Sequence, residues 1–177
     1  MKIIAFGASN SRQSINKKLA SYAASLITFA EIEVLDLNDF EMPLFSQDKE
    51  AELGQPAQAK QFLARLKAAD AIIISFAEHN GSYTAAYKNI FDWVSRIDPK
   101  VFQNKPMVML STSPGARGGS SVLALATESA HYFAGDVRAS LSIPSFFENF
   151  DVERQCLLNE DLSQKLTEAL AHLSDSA

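Results

Sequence analysis

The chain has 177 residues, 47% of them hydrophobic, and a formal net charge of −5. This length is typical of one domain, and the hydrophobic content is enough for a buried core. The acidic balance and the lack of a basic run argue against nucleic acid or an anionic membrane surface as a partner.

The cysteine content and the N-terminus indicate the compartment. Cys156 is the single cysteine, so an intramolecular disulfide is impossible, and no Cys and His residues have the spacing of a zinc site. The first apolar run ends at Phe6, too early for a signal peptide or a spanning helix. We expect a cytoplasmic protein without a bound metal, forming one domain over residues 1–177.

Five short runs of β-branched and aliphatic residues predict strands at residues 2–6, 31–37, 71–76, 107–110 and roughly 137–143. The first, third and fourth are almost wholly apolar, which is typical of a parallel sheet covered on both faces. Helical periodicity predicts helices around residues 15–27, 59–66, 85–94, 121–133 and 162–173. This alternation predicts a doubly wound α/β fold with right-handed crossovers. Residues 38–56 are irregular and form either a long surface loop or the rim of a site.

In such folds, ligands bind outside the carboxyl ends of the strands, so the loops that follow strands carry the functional information. The first loop, residues 7–16, is small and hydroxyl-rich and leads into a helix at about Ser14. Free N–H groups at a helix N-terminus, together with hydroxyls, suit a phosphate. Neither GxxxxGK[ST] nor GxGxxG is present, which favours a monophosphate over a nucleoside triphosphate or a dinucleotide. The alternative is that Ser14 only caps the helix. The candidate ligands are Ser9, Ser11, Arg12, Ser14, Ile15 and Asn16.

The loop after the third strand reads Glu78-His79-Asn80-Gly81. Asn-Gly marks a tight turn, which lets the backbone approach a flat ligand while His79 packs on its face. The alternative for His79 is a solvent-exposed turn residue.

The helix after this loop contains Trp93, Lys88 and Asp92. We interpret Trp93 as a core or interface residue. Lys88 and Asp92 are four residues apart and are expected to pair on the helix surface. None of the three is assigned to catalysis.

The loop after the fourth strand contains Ser113, Pro114 and three glycines within five residues, Gly115, Gly118 and Gly119. Glycines expose backbone N–H groups and lack Cβ atoms, so this loop is suited to lie against a planar ring and to bind its polar edge.

Together the three loops resemble the NADPH-dependent FMN reductase family, with its quinone and azo reductase members, over nearly the whole chain. Its loops are close to GSxRxxSxN, PEYNGSxxxxLKNxxDW and SPGxxGG. This chain keeps most of these positions. Ser11 stands where the arginine is expected and Arg12 follows it, Ala77 replaces the proline, and His79 replaces the aromatic residue.

The resemblance implies a flavodoxin-like five-stranded parallel sheet, in the order 2-1-3-4-5, with helices on both faces. It also implies bound FMN, with NADPH or NADH as co-substrate. The first loop would hold the ribityl phosphate, and residues 78–81 and 113–119 would border the isoalloxazine. The implied enzyme is a homodimer or homotetramer that reduces a flavin, quinone or azo compound in two hydride-transfer steps without a catalytic side chain.

Two other functions fit the same fold class. A flavodoxin-type carrier would bind FMN but exchange electrons with protein partners and not with a nicotinamide. A cofactor-free receiver domain would need an acidic cluster at the strand ends, where Glu78 is the one nearby carboxylate.

Overall fold

A computed structural model describes residues 1–174. Its main sheet has five strands, and the predicted fold class is confirmed. Neighbouring strands pair in parallel in the order β2-β1-β3-β4-β5. The strands are β1 (Lys2–Ala8), β2 (Glu31–Leu35), β3 (Ala71–Phe76), β4 (Lys105–Thr112) and β5 (Gly135–Ile143).

Seven α-helices lie within the described residues. They are α1 (Ile15–Ser25), α2 (Gln47–Leu53), α3 (Ala57–Ala68), α4 (Ala85–Ile97), α5 (Ser120–Ser129), α6 (Phe146–Asn149) and α7 (Glu160–Ala171). Two 3₁₀ turns, Leu37–Phe40 and Ala130–Phe133, follow β2 and α5. A small antiparallel hairpin of β6 (Phe150–Asp151) and β7 (Cys156–Leu157) precedes α7.

The central strands are apolar throughout because the sheet is buried on both faces. On β1, Ile4 and Phe6 belong to the cluster that packs under α3, α4 and α5. The alternate residues Ile3 and Ala5 belong to the opposite cluster, under α1 and α7. Successive side chains of a strand point to opposite faces, so burial on both sides requires apolar residues at every position.

Two predicted boundaries are corrected by local hydrogen bonding. The second strand ends at Leu35, because the Asp36 carboxylate accepts from the backbone N–H of Asn38 at 2.9 Å and starts a 3₁₀ turn. The helix predicted over residues 121–133 is α-helical only to Ser129 and then tightens into a 3₁₀ turn.

Two helices were not predicted. Helix α2 lies within residues 38–56 and has no buried residue, so it has no apolar stripe to reveal it. The residues that indicate this helix lie at its ends. Ser46 caps the N-terminus, and Gly54 ends the helix with a positive φ of 68°. The four-residue α6 and the hairpin after it are too short for periodicity to show.

Strand order reverses between β1 and β3, because the chain builds β2 on one side of β1 and then crosses to the other. At such a point the loops after the two strands diverge to opposite faces and leave a crevice. The loops that follow β1 and β3 therefore flank the expected ligand position.

Candidate active site

A hollow of about 200 Å³ lies at the carboxyl ends of β1, β3 and β4. All three loops predicted from the sequence contribute to it. Its lining residues are Ser9, Ser11, Gln13, Ser14, Ile15, Asn16, Ala77, Glu78, His79, Thr112, Ser113 and Pro114.

The first loop is held by its own hydroxyls. Ser9 Oγ accepts from the N–H of Ser11 at 3.1 Å, and Ser11 Oγ accepts from the N–H of Gln13 at 3.2 Å. Ser14 caps α1 by accepting from the N–H of Lys17 at 3.1 Å. Each hydroxyl keeps its own proton, so the serines can order the loop and donate to an anion at once.

The first turn of α1 presents free donors to this hollow. Within residues 1–174, no hydrogen bond is donated by the backbone N–H of Ile15 or Asn16. These groups lie at the positive end of the helix dipole. The cap interpretation of Ser14 and the anion interpretation of the loop are therefore compatible.

Gly7 allows the helix to begin so close to the strand. A Cβ at Gly7 would lie 2.7 Å from Lys17 Cα and 2.8 Å from the Asn16 carbonyl carbon. Any larger residue would push the start of α1 away from β1. The position of the free N–H groups in the first turn of α1 therefore depends on this glycine.

Asn16 is buried, and its side chain bonds to the protein. Its Nδ2 donates to the Thr112 carbonyl at 3.0 Å, and its Oδ1 accepts from the Thr112 N–H at 3.0 Å and the Ser75 hydroxyl at 2.7 Å. The side chain thus ties α1 to β3 and β4, and only the backbone N–H of Asn16 remains for a ligand.

The third loop is a tight turn, as Asn-Gly predicts. His79 and Ser82 exchange two backbone hydrogen bonds of 3.0 and 3.1 Å, and the central residues Asn80 and Gly81 have φ values of 52° and 78°. Positive φ at both positions defines a type I′ turn. His79 lines the hollow with an exposed side chain, whereas Asn80 and Gly81 are exposed outside it.

Glu78 joins the third loop to the fourth. Its Oε2 accepts from the N–H of Val122 at 3.0 Å, in the first turn of α5. Gly119 is the N-cap residue of α5 and has no side chain to cap it, so Glu78 supplies the missing acceptor from another loop. A carboxylate at a helix N-terminus also interacts favourably with the dipole.

The fourth loop contributes Ser113 and Pro114 to the hollow, and its glycines have different surroundings. A Cβ at Gly118 would lie 2.9 Å from the Ile143 carbonyl, and one at Gly119 would lie 3.2 Å from Ser111 Cβ; both residues have positive φ. Gly115 faces open space. Packing against β4 and β5 therefore requires Gly118 and Gly119, and their position beside a flavin ring stays a prediction.

Arg12 lies outside the hollow. It lines a neighbouring depression with Lys17 and Lys18, and Ser14 borders both concavities. Lys17 pairs with Asp36, whereas no ion pair of Arg12 or Lys18 occurs within the described residues. The cations next to the first loop favour an anionic ligand there.

Three lining residues were not singled out from the sequence: Gln13, Ala77 and Thr112. Each is adjacent in the chain to a predicted residue, and Thr112 is the last residue of β4. Only their positions in the chain indicate that these three residues line the hollow, because parallel strands bring the residues at their carboxyl ends together.

The segment after β2 is fastened to α4. Asn89 Oδ1 accepts from the N–H of Phe45 at 2.8 Å, and Asn89 Nδ2 and Trp93 Nε1 donate to the Pro43 carbonyl at 3.1 and 2.8 Å. Trp93 is fully buried, as the core interpretation predicts. Residues between Leu37 and Leu44 border a groove of about 290 Å³ beside Asn10, so part of residues 38–56 forms a rim and part forms α2.

The predicted ion pair on α4 is present. Lys88 Nζ lies 2.7 Å from Asp92 Oδ1, and the two side chains remain 54% and 32% exposed. Such a pair contributes about 0.3–0.5 kcal/mol to helix stability.

The donor set fits FMN. Free N–H groups at the start of α1 and the hydroxyls of the first loop suit a phosphate monoester. The exposed His79 ring and the open Gly115 lie on the two other loops.

The family model for NADPH-dependent FMN reductase matches residues 1–148. The chain belongs to this family. Among the curated relatives of this chain is an NAD(P)H-dependent FMN reductase of Pseudomonas aeruginosa. It is 31% identical over 119 residues, which are 67% of this chain and 63% of that protein. An NADPH:quinone oxidoreductase of Arabidopsis thaliana is 35% identical over 91 residues, 51% of this chain and 45% of that protein. The matched regions thus span about half to two thirds of these relatives.

Solved structures of low sequence identity share the fold. The flavoenzyme NAD(P)H:(acceptor) oxidoreductase FerB of Paracoccus denitrificans superposes with a TM-score of 0.77 at 22% identity, covering 98% of this chain and 95% of that one. A flavodoxin of Pseudomonas aeruginosa superposes with a TM-score of 0.60 at 14% identity, covering 98% of this chain and 99% of that one. Within residues 1–174, no helix is both long and apolar enough to span a bilayer.

Proposed function

We propose that this chain is an FMN-dependent NAD(P)H oxidoreductase that reduces a small acceptor: a flavin, a quinone or an azo compound. The observation that carries the proposal is the convergence of the three family loops on one hollow with free donors at the start of α1. The curated relatives named as NAD(P)H-dependent FMN reductase and NADPH:quinone oxidoreductase support the same class of activity.

The cofactor, when bound, supplies reversible hydride transfer from NAD(P)H and onward to the acceptor. The protein binds and orients it. The N–H groups of Ile15 and Asn16 and the hydroxyls of Ser9 and Ser11 hold the phosphate. His79 and the Ser113–Gly115 stretch border the ring, and no side chain is required as an acid or base.

The fourth loop would also offer free donors to bound FMN. Within the described residues, the backbone N–H groups of Gly115 and Ala116 donate to no acceptor. Preorganised N–H groups directed at a developing anion lower its energy without reorganisation. When FMN is bound, these N–H groups would hold the polar edge of its ring system.

We further propose that residues 1–177 act as one FMN-binding domain in a homodimer or homotetramer. The apolar side chains of Phe40, Trp93, Phe146 and Phe150 are buried in the core of the chain itself. Leu44 and Phe147 are 78% and 64% exposed, so their side chains are available for subunit contact.

The first test is the visible spectrum of the purified protein with FMN, before and after anaerobic addition of NADPH. Flavin bands that bleach support the reductase. Bands that persist with NADPH and NADH indicate a flavodoxin-type carrier, and absence of flavin binding contradicts the proposal.

A matched pair of variants tests the phosphate position. Gln13 is exposed and lines the hollow, so Gln13→Glu places a negative charge beside the phosphate; Gln61 is exposed on α3, away from it. Two unit charges about 4 Å apart in water repel by about 1 kcal/mol, so we expect FMN to bind Gln13→Glu about fivefold to tenfold more weakly. Gln61→Glu should bind as the parent, and equal affinity of both variants would contradict the assignment.

A further inference from the structure

A second cavity, of about 230 Å³, lies between α4 and α5 against β3 and β4. It shares no lining residue with the hollow of the three loops. Its walls are largely aromatic: Phe76, Tyr87, Phe91, Phe102 and Phe133 line it, with Ala126 on α5. The Phe91 and Phe133 rings pack edge to face at 4.7 Å, and Phe76 and Tyr87 do so at 5.4 Å.

The hydroxyl of Tyr87 lacks a partner. The residue is only 4% exposed, and within residues 1–174 its hydroxyl takes part in no hydrogen bond. Among these residues Gln55 Oε1 is the one fully buried side-chain oxygen or nitrogen without a partner, so the Tyr87 hydroxyl remains accessible and offers a free donor to the cavity that the residue lines. Burial holds the pKa of Tyr87 well above its ordinary value, so the group stays a protonated donor.

The other hydroxyls of the cavity differ from Tyr87. Tyr83 and Ser129 also line it, and their oxygens lie 3.3 Å apart and satisfy each other. At the solvent side, Lys88 is paired with Asp92. The free tyrosine hydroxyl of the cavity is therefore that of Tyr87.

We propose that this cavity is a binding site for a neutral single-ring aromatic molecule whose carbonyl or hydroxyl oxygen accepts a hydrogen bond from Tyr87. An apolar cavity of about 150 Å³ accommodates benzene, so this one has room for a ring with a small substituent. Apolar walls exclude an ionised ligand because it would lose its hydration. The site is independent of FMN, and its test does not depend on the proposed reductase activity.

The test compares acetophenone with ethylbenzene, two rings of similar size of which only the first has a carbonyl oxygen. Titrations of the full-length protein are followed by amide chemical shifts, with and without saturating FMN. We expect acetophenone to shift the amides around Tyr83, Tyr87 and Phe91, not those of residues 9–16. It should bind about threefold to tenfold more tightly than ethylbenzene, the ratio of one hydrogen bond.

Two pairs of variants assign the contacts. Tyr87→Phe should abolish the preference for acetophenone and keep ethylbenzene binding, whereas Tyr22→Phe, on α1, should change neither. Ala126→Leu fills the cavity and should abolish binding of both ligands, whereas Ala124→Leu lies on the exposed side of α5 and should leave it intact. Thermal unfolding of each variant verifies that it is folded.

Several outcomes overturn the proposal. Equal affinity for the two ligands removes the role of Tyr87, and shifts confined to residues 9–16, or displacement by FMN, place the ligand in the loop hollow. Binding that Ala126→Leu leaves unchanged places it elsewhere. Shifts around Phe91 that depend on protein concentration and not on ligand show that a second copy of the chain covers the cavity.

Discussion

At the scale of single residues, Asp36 combines two roles. It starts the turn after β2 and pairs with Lys17 on α1, and this hydrogen bond is the main reason why its pKa falls from 3.8 to about 2. A carboxyl group with a lowered pKa in the folded state stabilises the fold above its unfolded pKa. That contribution is lost as pH falls from about 4 towards 2.

We therefore expect Asp36→Asn to lower the free energy of unfolding at pH 7 by up to about 1 kcal/mol, a value limited by solvent screening. The deficit should shrink as the pH falls towards 2. Urea unfolding at pH 7, 4 and 2.5 measures it. Asp39→Asn, an exposed neighbour without an ion pair among the described residues, is the control, and a deficit that is constant with pH would refute the explanation.

The glycines of the fourth loop give a second prediction at this scale. Gly118→Ala must place a Cβ 2.9 Å from the Ile143 carbonyl at a φ of 58°. We expect a loss of about 2 kcal/mol or more in the free energy of unfolding. Gly115→Ala meets no atom within 4 Å and should lie within about 0.5 kcal/mol of the parent. Chemical denaturation compares the two, and similar losses would show that the close approach of Gly118 is unimportant.

At the scale of elements, α4 carries two functions. Its buried face packs Trp93 into the core, and Asn89 and Trp93 together hold the chain at Pro43. The family motif LKNxxDW thus contains residues whose partners lie 44–50 positions away in the sequence. The motif indicates function, but its asparagine and tryptophan, Asn89 and Trp93, act by holding the rim segment at Pro43 in place.

Asn89→Ala removes the acceptor for Phe45 N–H and the donor for Pro43. We expect the amide of Phe45 to exchange with solvent at least tenfold faster, and the free energy of unfolding to fall by about 1–3 kcal/mol. Hydrogen exchange followed by NMR measures the first. Lys88→Ala, which removes only the Asp92 pair, should leave Phe45 protected; equal exchange in both variants would contradict the clamp.

At the scale of the whole molecule, three contacts hold the loops in register. Asn16 joins the first loop to β3 and β4, the Thr84 hydroxyl donates to the Ala8 carbonyl at 2.9 Å, and Glu78 binds Val122. The hollow is therefore preorganised by bonds between loops, which lowers the ordering cost of binding a ligand.

Asn16→Ala leaves the groups of Thr112 and Ser75 without partners in a buried region. We expect a loss of about 2–4 kcal/mol in the free energy of unfolding and weaker FMN binding, because the start of α1 is no longer fixed against β4. Ser75→Ala removes one of these bonds and should cost about 1 kcal/mol with little change in FMN affinity. Unfolding and FMN titration of both variants measure this, and unchanged FMN affinity in folded Asn16→Ala would contradict the role of preorganisation.

The sequence by itself determined the five strands, the order of helices and the three loops of the site. These features are encoded locally: a strand buried on both faces is apolar at each position, an amphipathic helix repeats every 3.6 residues, and Asn80-Gly81 selects its own turn. The resemblance to the FMN reductase family drew on the same loops. Helix α2 escaped prediction because it buries nothing.

Only the tertiary structure decided which contacts individual site residues make. The side chain of Asn16, a predicted phosphate ligand, bonds to Thr112, 96 residues away, and leaves the backbone N–H for a ligand. Gly118 packs where a Cβ would meet the Ile143 carbonyl, and its position beside a ring stays a prediction. The aromatic cavity around Tyr87 exists only because α4 and α5 pack side by side over β3 and β4. A side chain's partners depend on which distant segments the fold brings within 3 Å of it, and no local pattern carries that information.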